Sequence, residues 1–353
     1  MRQSTYSESS RSKRTIIFVI AFFLIAIAGL AYVKWVPYYG KSFLAATTHS
    51  IGDSILGDPS ATGSFSWESA TSYALTYFKA VWKAAVLGII LGSLIQVLLP
   101  ANWLLKVLGK TSFGSTAIGG LSALPGMMCT CCAAPVAVGL RKKNASVGAS
   151  LAFWIGNPML NPATLIFMTF VLSWKFTLLR VVFGIVLTFG VSYLANRFVK
   201  QTNSVDIESI MDKAPMEETG SFLVRWMKSL GSMSLYILPA YVLSVLLMGA
   251  VRVWLFPHVG EVAANTIVTI ILFSIAGMLF VIPTAAEIPI IQTFMSFGLG
   301  GGPAAALLVT LPAISLPSLL LVARSFPKRV LLFVSAAVVT LGIVSGLVGM
   351  VLL

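Results

Sequence analysis

Every cysteine of the chain lies within four consecutive positions, as Cys129, Cys131 and Cys132. Thiolates are soft ligands for copper(I), zinc and other thiophilic species, and three converging sulfurs would also suit a trivalent metalloid. A regular helix cannot direct all three side chains at one ion, so a three-sulfur metal or metalloid site requires irregular backbone here. Cys129 and Cys132 also form a Cys-x-x-Cys pair, which is capable of dithiol–disulfide exchange. The structural alternative is that these residues are small apolar side chains in a packed bundle.

Glu287 is the acid, among 11 in the chain, that lies inside an apolar segment. A carboxylate in hydrocarbon is costly, so Glu287 should face the interior, be neutral or have a partner, and such residues commonly mark proton or ion paths. We therefore predict Glu287 as a proton-coupling residue. Thr130 and Thr284 can add hydroxyls near the cysteines and Glu287, or can bond to carbonyls of their own helices.

Two amides repeat at a spacing of four in Asn157-Pro158 and Asn161-Pro162, on one face of a helix. Each proline frees a backbone carbonyl upstream. These amides either bind a substrate or join helices by hydrogen bonds. The two histidines, His49 and His258, are far apart and are predicted to be polar loop residues.

The composition places these residues in a membrane. Of 353 residues, 58% are hydrophobic and 10% are charged, and the mean hydropathy is +0.94. These values exclude a soluble enzyme, a disordered chain and a disulfide scaffold, and they make the lipid bilayer a partner. The net charge of +13 comes from basic residues scattered at the ends of apolar runs, which indicates membrane topology and not nucleic-acid binding. No motif predicts a cofactor.

The first apolar run, 15–33, is predicted to span the membrane, and the basic residues before it place the N-terminus in the cytoplasm. Residues 37–68 are predicted to be an external loop with one amphipathic segment, and Lys34 to lie outside. Arg180 is interpreted as a residue near a span end, where a long side chain reaches the interface. Further apolar runs lie at 71–99, 113–140, 146–174, 176–198, 229–256, 264–297, 303–323 and 330–353.

Two of these segments, 113–140 and 264–297, are interrupted by proline. If both are re-entrant hairpins, the basic triplet 141–143 returns to the cytoplasmic side, as the distribution of positive charge requires. That topology has seven full spans and an external C-terminus; a full crossing by both segments is the alternative. The predicted hinge or helix-break residues are Pro125, Gly126, Pro135, Pro283 and Pro289.

A shift of 154 residues aligns the two halves without a gap. It pairs Thr130 with Thr284, Pro135 with Pro289, Gly148 with Gly302 and Pro158 with Pro312. With one hairpin entering from each side, the halves form an inverted repeat, which in transporters places the binding site near the midplane. A chance match among frequent prolines and glycines is the alternative. The predicted fold is an all-α polytopic inverted-repeat transporter with regions 1–69 (tail, first span and loop), 70–199 (repeat 1), 200–226 (linker) and 227–353 (repeat 2).

The motifs around both breaks resemble those of a known family. Pro125, the Cys-Thr-Cys-Cys run at 129–132 and the Asn-Pro pairs, together with Pro-Thr-Ala-Ala-Glu-Ile-Pro at 283–289, are similar to the predicted permeases of the ArsP or YraQ type. This resemblance implies a multi-pass permease of the bacterial inner membrane, and in some members the export of trivalent organoarsenicals. The first signature of that family usually reads more like Cys-Ser-Cys, whereas Cys131-Cys132 is doubled here.

The leading hypothesis is a secondary transporter, and not an enzyme, that exports a small thiophilic substrate such as a trivalent arsenical, with Glu287 as the proton-coupling residue. The competing hypothesis is a membrane thiol oxidoreductase that uses Cys129 and Cys132. A structural scaffold is a third class, which a lone buried acid does not favour. The predicted substrate-binding residues are Cys129, Thr130, Cys131, Cys132, Asn157, Asn161 and Thr284.

Overall fold

A computed structural model describes residues 2–56, 67–199, 221–255 and 266–353, and within them the side chains from Ile16 onward except those of Ser69 and Val253. His258 and most of the predicted linker 200–226 lie outside the described residues. The regular structure of the described part is helical throughout. Six helical stretches in that part are long and apolar enough to cross a membrane: Ile16–Thr48, Ala70–Leu98, Trp174–Phe198, Phe222–Arg252, Gly301–Val322 and Lys328–Leu352. The prediction of an all-α polytopic membrane protein is confirmed.

The α-helices are numbered along the chain. They are α1 Arg2–Leu30, α2 Val36–Thr48, α3 Trp67–Leu98, α4 Ala101–Leu108, α5 Phe113–Ala123, α6 Thr130–Lys142, α7 Val147–Met159, α8 Pro162–Val171, α9 Trp174–Ile185, α10 Ser192–Ala195, α11 Phe222–Leu255, α12 Ile267–Leu279, α13 Glu287–Ser296, α14 Gly301–Ala313, α15 Leu316–Val322 and α16 Lys328–Leu352.

The first span is longer than the sequence predicts. Helices α1 and α2 join through a π-helical turn, Ala31–Trp35, so that one helical stretch continues to Thr48. The ring of Pro37 would clash with the carbonyl of Val33 in a regular α-helix, and the wider π turn lies at that point. The prediction of a loop beginning at Pro37 is therefore wrong for 37–48.

The first broken segment is a re-entrant hairpin. After α6, the Ser146 N–H donates to the Leu108 carbonyl at 2.7 Å, so the chain has returned to the level at which α5 begins. Helix α7 then runs parallel to α5, with Ala149 beside Gly119 and Gly156 near Ala123. Helices α5 and α7 run in the same direction, and the end of α6 lies at the level at which α5 begins. Helix α6 therefore runs back, antiparallel to both, towards the side from which α5 came.

The second broken segment, α12 and α13, follows the same course. Helix α14 runs parallel to α12, because Gly302 lies at the level of Ile270 and Thr310 packs against Gly277. The non-helical tip between α12 and α13 spans 280–286. The alternative of a full crossing is thus wrong for both segments.

The two hairpins have their open ends at opposite ends of α16. Arg141, at the end of the first hairpin, donates to the carbonyl of Ser325 at 3.3 Å, just before α16 begins. Gly301, just after the second hairpin, packs against Leu353 at the other end of α16. Since α16 has 25 residues, these points are about 37 Å apart along its axis.

Run 146–174, predicted as one full span, consists of two consecutive helices. Helix α7 begins at the open end of the first hairpin, and α8 ends where the carbonyl of Phe170 contacts His49 at 2.7 Å. His49 follows α2 with a φ of 51°, and its carbonyl in turn accepts from Gln292 of the second hairpin.

Helix bounds and turns recur at the spacing of 154. Helices α7 and α14 correspond residue for residue, and α9 and α16 begin at corresponding positions. Asn144 and Gly298, also 154 apart, both adopt positive φ angles (62° and 94°). Both turns close with a six-residue bond of the type common at helix C-termini, from residues 145 to 140 and from 299 to 294. This correspondence agrees with an internal repeat.

Candidate functional site

A small cavity lies between the tips of the two hairpins. Its volume of about 10 Å³ is enough for roughly one water molecule. Four of the predicted substrate-binding and proton-coupling residues are brought together in its wall: Cys129, Thr130, Thr284 and Glu287. The remaining wall is formed by Pro158, Thr164, Ile282, Pro283, Ala285, Leu311 and Pro312.

Aromatic donors hold the non-helical backbone of both tips. The indole N–H of Trp35 donates to the Pro125 carbonyl at 2.8 Å, and the Tyr73 hydroxyl donates to the Val281 carbonyl. Irregular backbone at membrane depth requires such internal partners. Met127 and Ala285 have φ angles of 48° and 69°, which are unusual for residues other than glycine and occur where surrounding contacts enforce them.

Two of the three thiols face each other. Cys129 precedes α6 in extended backbone (φ −74°, ψ 166°), and Cys132 lies in the first turn of that helix. This places their sulfur atoms 2.9 Å apart, with both residues buried and reduced. Cys131 points elsewhere, towards the Ser315 hydroxyl at 3.7 Å.

The prediction of a three-sulfur metal site is therefore wrong for this conformation. Helix α6 is regular from Thr130, so it separates the direction of Cys131 from that of Cys132. Within 2–56, 67–199, 221–255 and 266–353, no group of three or more His, Cys, Asp or Glu side chains is arranged to hold a metal ion. The site that does form has two sulfurs.

Glu287 is buried and has a charged partner. Its Oε1 lies 3.1 Å from Nη2 of Arg180, and both side chains are almost completely inaccessible. Its second oxygen, Oε2, has no hydrogen-bond partner in the part of the chain that the structure describes, and the residue lines the cavity. Glu287 is also the first residue of α13, where the helix dipole favours a negative charge. The expectation that Glu287 faces the interior and finds a partner is confirmed.

Arg180 does not reach an interface, so the interpretation as a residue at a span end is wrong. Besides Glu287, it donates to the carbonyls of Met159 at 3.0 Å, Pro158 at 2.8 Å and Leu308. The first two belong to the last turn of α7, where carbonyls lack helical donors. Leu308 lies four residues before Pro312, which has no N–H to offer it. These freed carbonyls fix the guanidinium inside the protein.

The two predicted amides are near the site but do not line the cavity. Asn157 donates to the Phe153 carbonyl at 2.8 Å and accepts from the Met128 N–H at 3.4 Å, which fixes the first tip. Asn161 accepts from the backbone of residues 163 and 164 and so caps α8. Ser315 caps α15 at the corresponding position of the second half. In this conformation both amides hold backbone in place.

The predicted hinge residues divide into two groups. Pro125 and Gly126 form the turn of the first tip, and Pro283 lies in the second, so the chain breaks there as predicted. A Cβ on Gly126 would lie 2.1 Å from Oδ1 of Asn157, so the turn requires glycine. Pro135 and Pro289 lie within α6 and α13, which continue through them. The prediction of a helix break at these two prolines is wrong.

Sequence reasoning missed Lys34 as a residue near the site. Its side chain is buried, and its Nζ donates to the Thr284 hydroxyl and to the Tyr38 hydroxyl, both at 3.1 Å. The sequence predicts Lys34 on the external side, whereas the structure buries it inside a helical stretch that continues to Thr48. The available signal was the continuing apolar and aromatic character of the residues after Lys34.

Comparison with known proteins agrees with this architecture. A family model described as a predicted permease, ArsP_1, matches residues 118–352, which include the tips of both hairpins. The chain belongs to this permease family. It is 52% identical over 325 residues to UPF0718 protein YraQ of Escherichia coli (strain K12), covering 92% of each chain. It is also 19% identical over 334 residues to UPF0718 protein MJ0584 of Methanocaldococcus jannaschii, covering 76% of this chain and 92% of that protein. No solved structure matches.

Membership of the family makes the protein a multi-pass membrane permease. The matched region contains the thiol pair, Arg180 and Glu287, whereas the N-terminal helix with Lys34 precedes it.

Proposed function

We propose that the protein is a secondary transporter that exports a small thiophilic substrate, such as a trivalent organoarsenical, from the bacterial cytoplasm across the inner membrane. The observation that supports this most directly is the cavity between the hairpin tips, where a free thiol and a buried carboxylate share one wall. The permease family supports transport, and the resemblance to organoarsenical permeases supports the substrate class.

The thiol pair suits the chemistry of such a substrate. A trivalent arsenical R–As(OH)₂ reacts with two thiols to give R–As(S–)₂ and two water molecules. Cys129 and Cys132 already have their sulfur atoms in contact, so one arsenic can bridge them after a small separation. Cys131 points away and is not needed for this reaction.

Access to the site requires movement, because a cavity of about 10 Å³ cannot hold an organic arsenical. The two hairpins open towards opposite ends of the bundle, as expected for an inverted repeat with regions 70–199 and 227–353 as its halves. Rocking of one half against the other would open the cavity first to one side and then to the other. With a cytoplasmic N-terminus, the first hairpin enters from the cytoplasm.

Glu287 is the proposed coupling group. Glu287 lines the cavity, its Oε1 binds Arg180, and its Oε2 has no hydrogen-bond partner among the described residues. Protonation of this carboxylate would remove the ionic part of its attraction to Arg180, which remains held by three carbonyls. Proton exchange at Glu287 would thus loosen the second hairpin from α9 and link proton flow to the rocking movement.

The test is uptake of a trivalent aryl arsenical into everted membrane vesicles by single serine variants of the three cysteines. The expected result is loss of uptake in Cys129→Ser and Cys132→Ser and retention in Cys131→Ser, which is the matched control. Equal uptake by all three variants and the wild type would contradict thiol-mediated transport.

A second candidate, a membrane thiol oxidoreductase, is favoured by the 2.9 Å contact of Cys129 and Cys132. In that reaction the dithiol would reduce a partner disulfide and become a disulfide itself, with two electrons and two protons passing to the partner. Trapping of a mixed disulfide between Cys129 and a partner in Cys132→Ser would support this function. Full activity of a protein that stays reduced throughout would exclude it.

A further inference from the structure

Lys34 lies beside the cavity, and no acidic side chain among the described residues pairs with it. It is 5% exposed, and its ammonium contacts the hydroxyls of Thr284 and Tyr38 and lies 5.0 Å from the centre of the Tyr38 ring. Thr284 lines the cavity, so its hydroxyl lies between the ammonium of Lys34 and the cavity.

The N-terminal helix is held against both hairpin tips at this point. Lys34 bonds to Thr284 in the second tip, and the neighbouring Trp35 bonds to the Pro125 carbonyl in the first at 2.8 Å. Both residues belong to the π-helical turn Ala31–Trp35, and π turns within helices often occur at functional sites. The position of the ammonium is therefore set by contacts on two sides.

The charges around the cavity do not balance. Arg180 and Glu287 neutralise each other, because they form the side-chain ion pair that is found in the described part of the chain. Lys34 therefore leaves one surplus positive charge beside this buried site. Such a charge is costly, and in transporters it commonly marks a place where a substrate or ion supplies the opposite charge.

We propose that Lys34 is a specificity-determining residue that selects thiophilic substrates carrying a negatively charged group. In this arrangement the soft centre of the substrate binds Cys129 and Cys132, and its acidic group faces the ammonium across Thr284. This inference rests on the proposed transport function and adds a charge requirement to its substrate class.

The test compares two substrates that differ in one group, phenylarsine oxide and 4-carboxyphenylarsine oxide, in everted vesicles. The wild type should take up the carboxylate at lower half-saturating concentration than the neutral compound. Lys34→Gln should lose this preference by about tenfold or more, since truncating one partner of a buried charge pair typically costs at least that much. Lys34→Arg should keep it, and so should Lys41→Gln, a control at an exposed lysine of the same helix.

A wild type without preference for the carboxylate, or a Lys34→Gln variant that keeps it, would overturn the inference. A second measurement avoids dependence on transport: the rates at which 4-mercuribenzoate and phenylmercury react with Cys129 in the purified protein. Loss of the rate advantage of 4-mercuribenzoate in Lys34→Gln supports the role of Lys34 even if no arsenical is transported. An advantage that is unchanged in Lys34→Gln overturns it, whatever the vesicles show.

Discussion

At the scale of single residues, the polar groups of Arg180 and Glu287 differ in how many hydrogen-bonding partners they have. Arg180 keeps three carbonyl partners when the carboxylate is removed, whereas the Glu287 carboxylate has no cationic partner other than Arg180 among the described residues. The two halves of this ion pair should therefore respond differently to substitution.

Arg180→Met should be the more damaging change. It leaves a buried carboxylate without a cation, which typically costs about 3–5 kcal/mol. Glu287→Gln should cost less, and the double substitution Arg180→Met with Glu287→Met should recover much of the loss. Thermal unfolding in detergent measures all three, with Arg329→Met, at an exposed arginine, as the control. A double variant less stable than Arg180→Met would contradict this account of the pair.

Glu287→Gln should insert normally but lose proton-dependent export. A glutamine keeps the size and a hydrogen-bonding oxygen for Arg180 but cannot exchange a proton. The measurement is uptake into everted vesicles with and without an imposed pH gradient. If Glu287→Gln transports with an unchanged dependence on the gradient, Glu287 is not the coupling group.

The next scale is that of the elements, where α3 supports the thiol hairpin through two glycines. A Cβ on Gly88 would lie 2.1 Å from the carbonyl oxygen of Cys132, and one on Gly92 would lie 2.4 Å from that of Pro135. The GxxxG spacing thus brings the backbone of α3 directly against α6, as small residues do between membrane helices.

Gly88→Ala should displace α6 and with it the Cys129–Cys132 contact. We expect a lower thermal midpoint and slower reaction of the two thiols with an arsenical. Gly231→Ala is the matched control, because Gly231 lies within helix α11 with open space around it. Equal behaviour of the two variants would show that the close approach of α3 is unimportant.

The sequence predicts most elements well because apolar runs and prolines are local signals. The runs 71–99 and 330–353 match α3 and α16 to within a few residues, and both hairpin tips lie at the predicted breaks. The errors occur where a local signal is overridden. Pro37 does not end the first span because a π turn accommodates it, and α6 continues through Pro135.

At the scale of the whole molecule, the two hairpins define opposite faces. The open end of the first lies near the start of α16, and that of the second lies near its end. The sequence indicates this arrangement through its repeat. Arg180 and Glu287 are 107 positions apart in the sequence, and Lys34 and Thr284 are 250 apart. Their contacts depend on how the helices pack, so no local sequence pattern predicts them.

Single cysteines can be introduced into a variant whose three native cysteines are replaced by serine. Their labelling should show which side of the membrane each hairpin opens to. Lys142→Cys and Lys328→Cys should react with a membrane-impermeant maleimide from one side only, and Lys175→Cys and Phe297→Cys from the other only. All four side chains are exposed at helix ends. Labelling of intact and of permeabilised cells distinguishes the sides. Labelling of all four from the same side would contradict the opposed hairpins.

The central claim is that two thiols, and not three, form the substrate site at the hairpin tips. The most direct measurement is to treat the purified protein with one equivalent of phenylarsine oxide, alkylate the remaining thiols after unfolding, and locate the modified residues by mass spectrometry. We predict that Cys129 and Cys132 are protected together while Cys131 is alkylated. Protection of Cys131, or alkylation of all three cysteines, would contradict the two-thiol site.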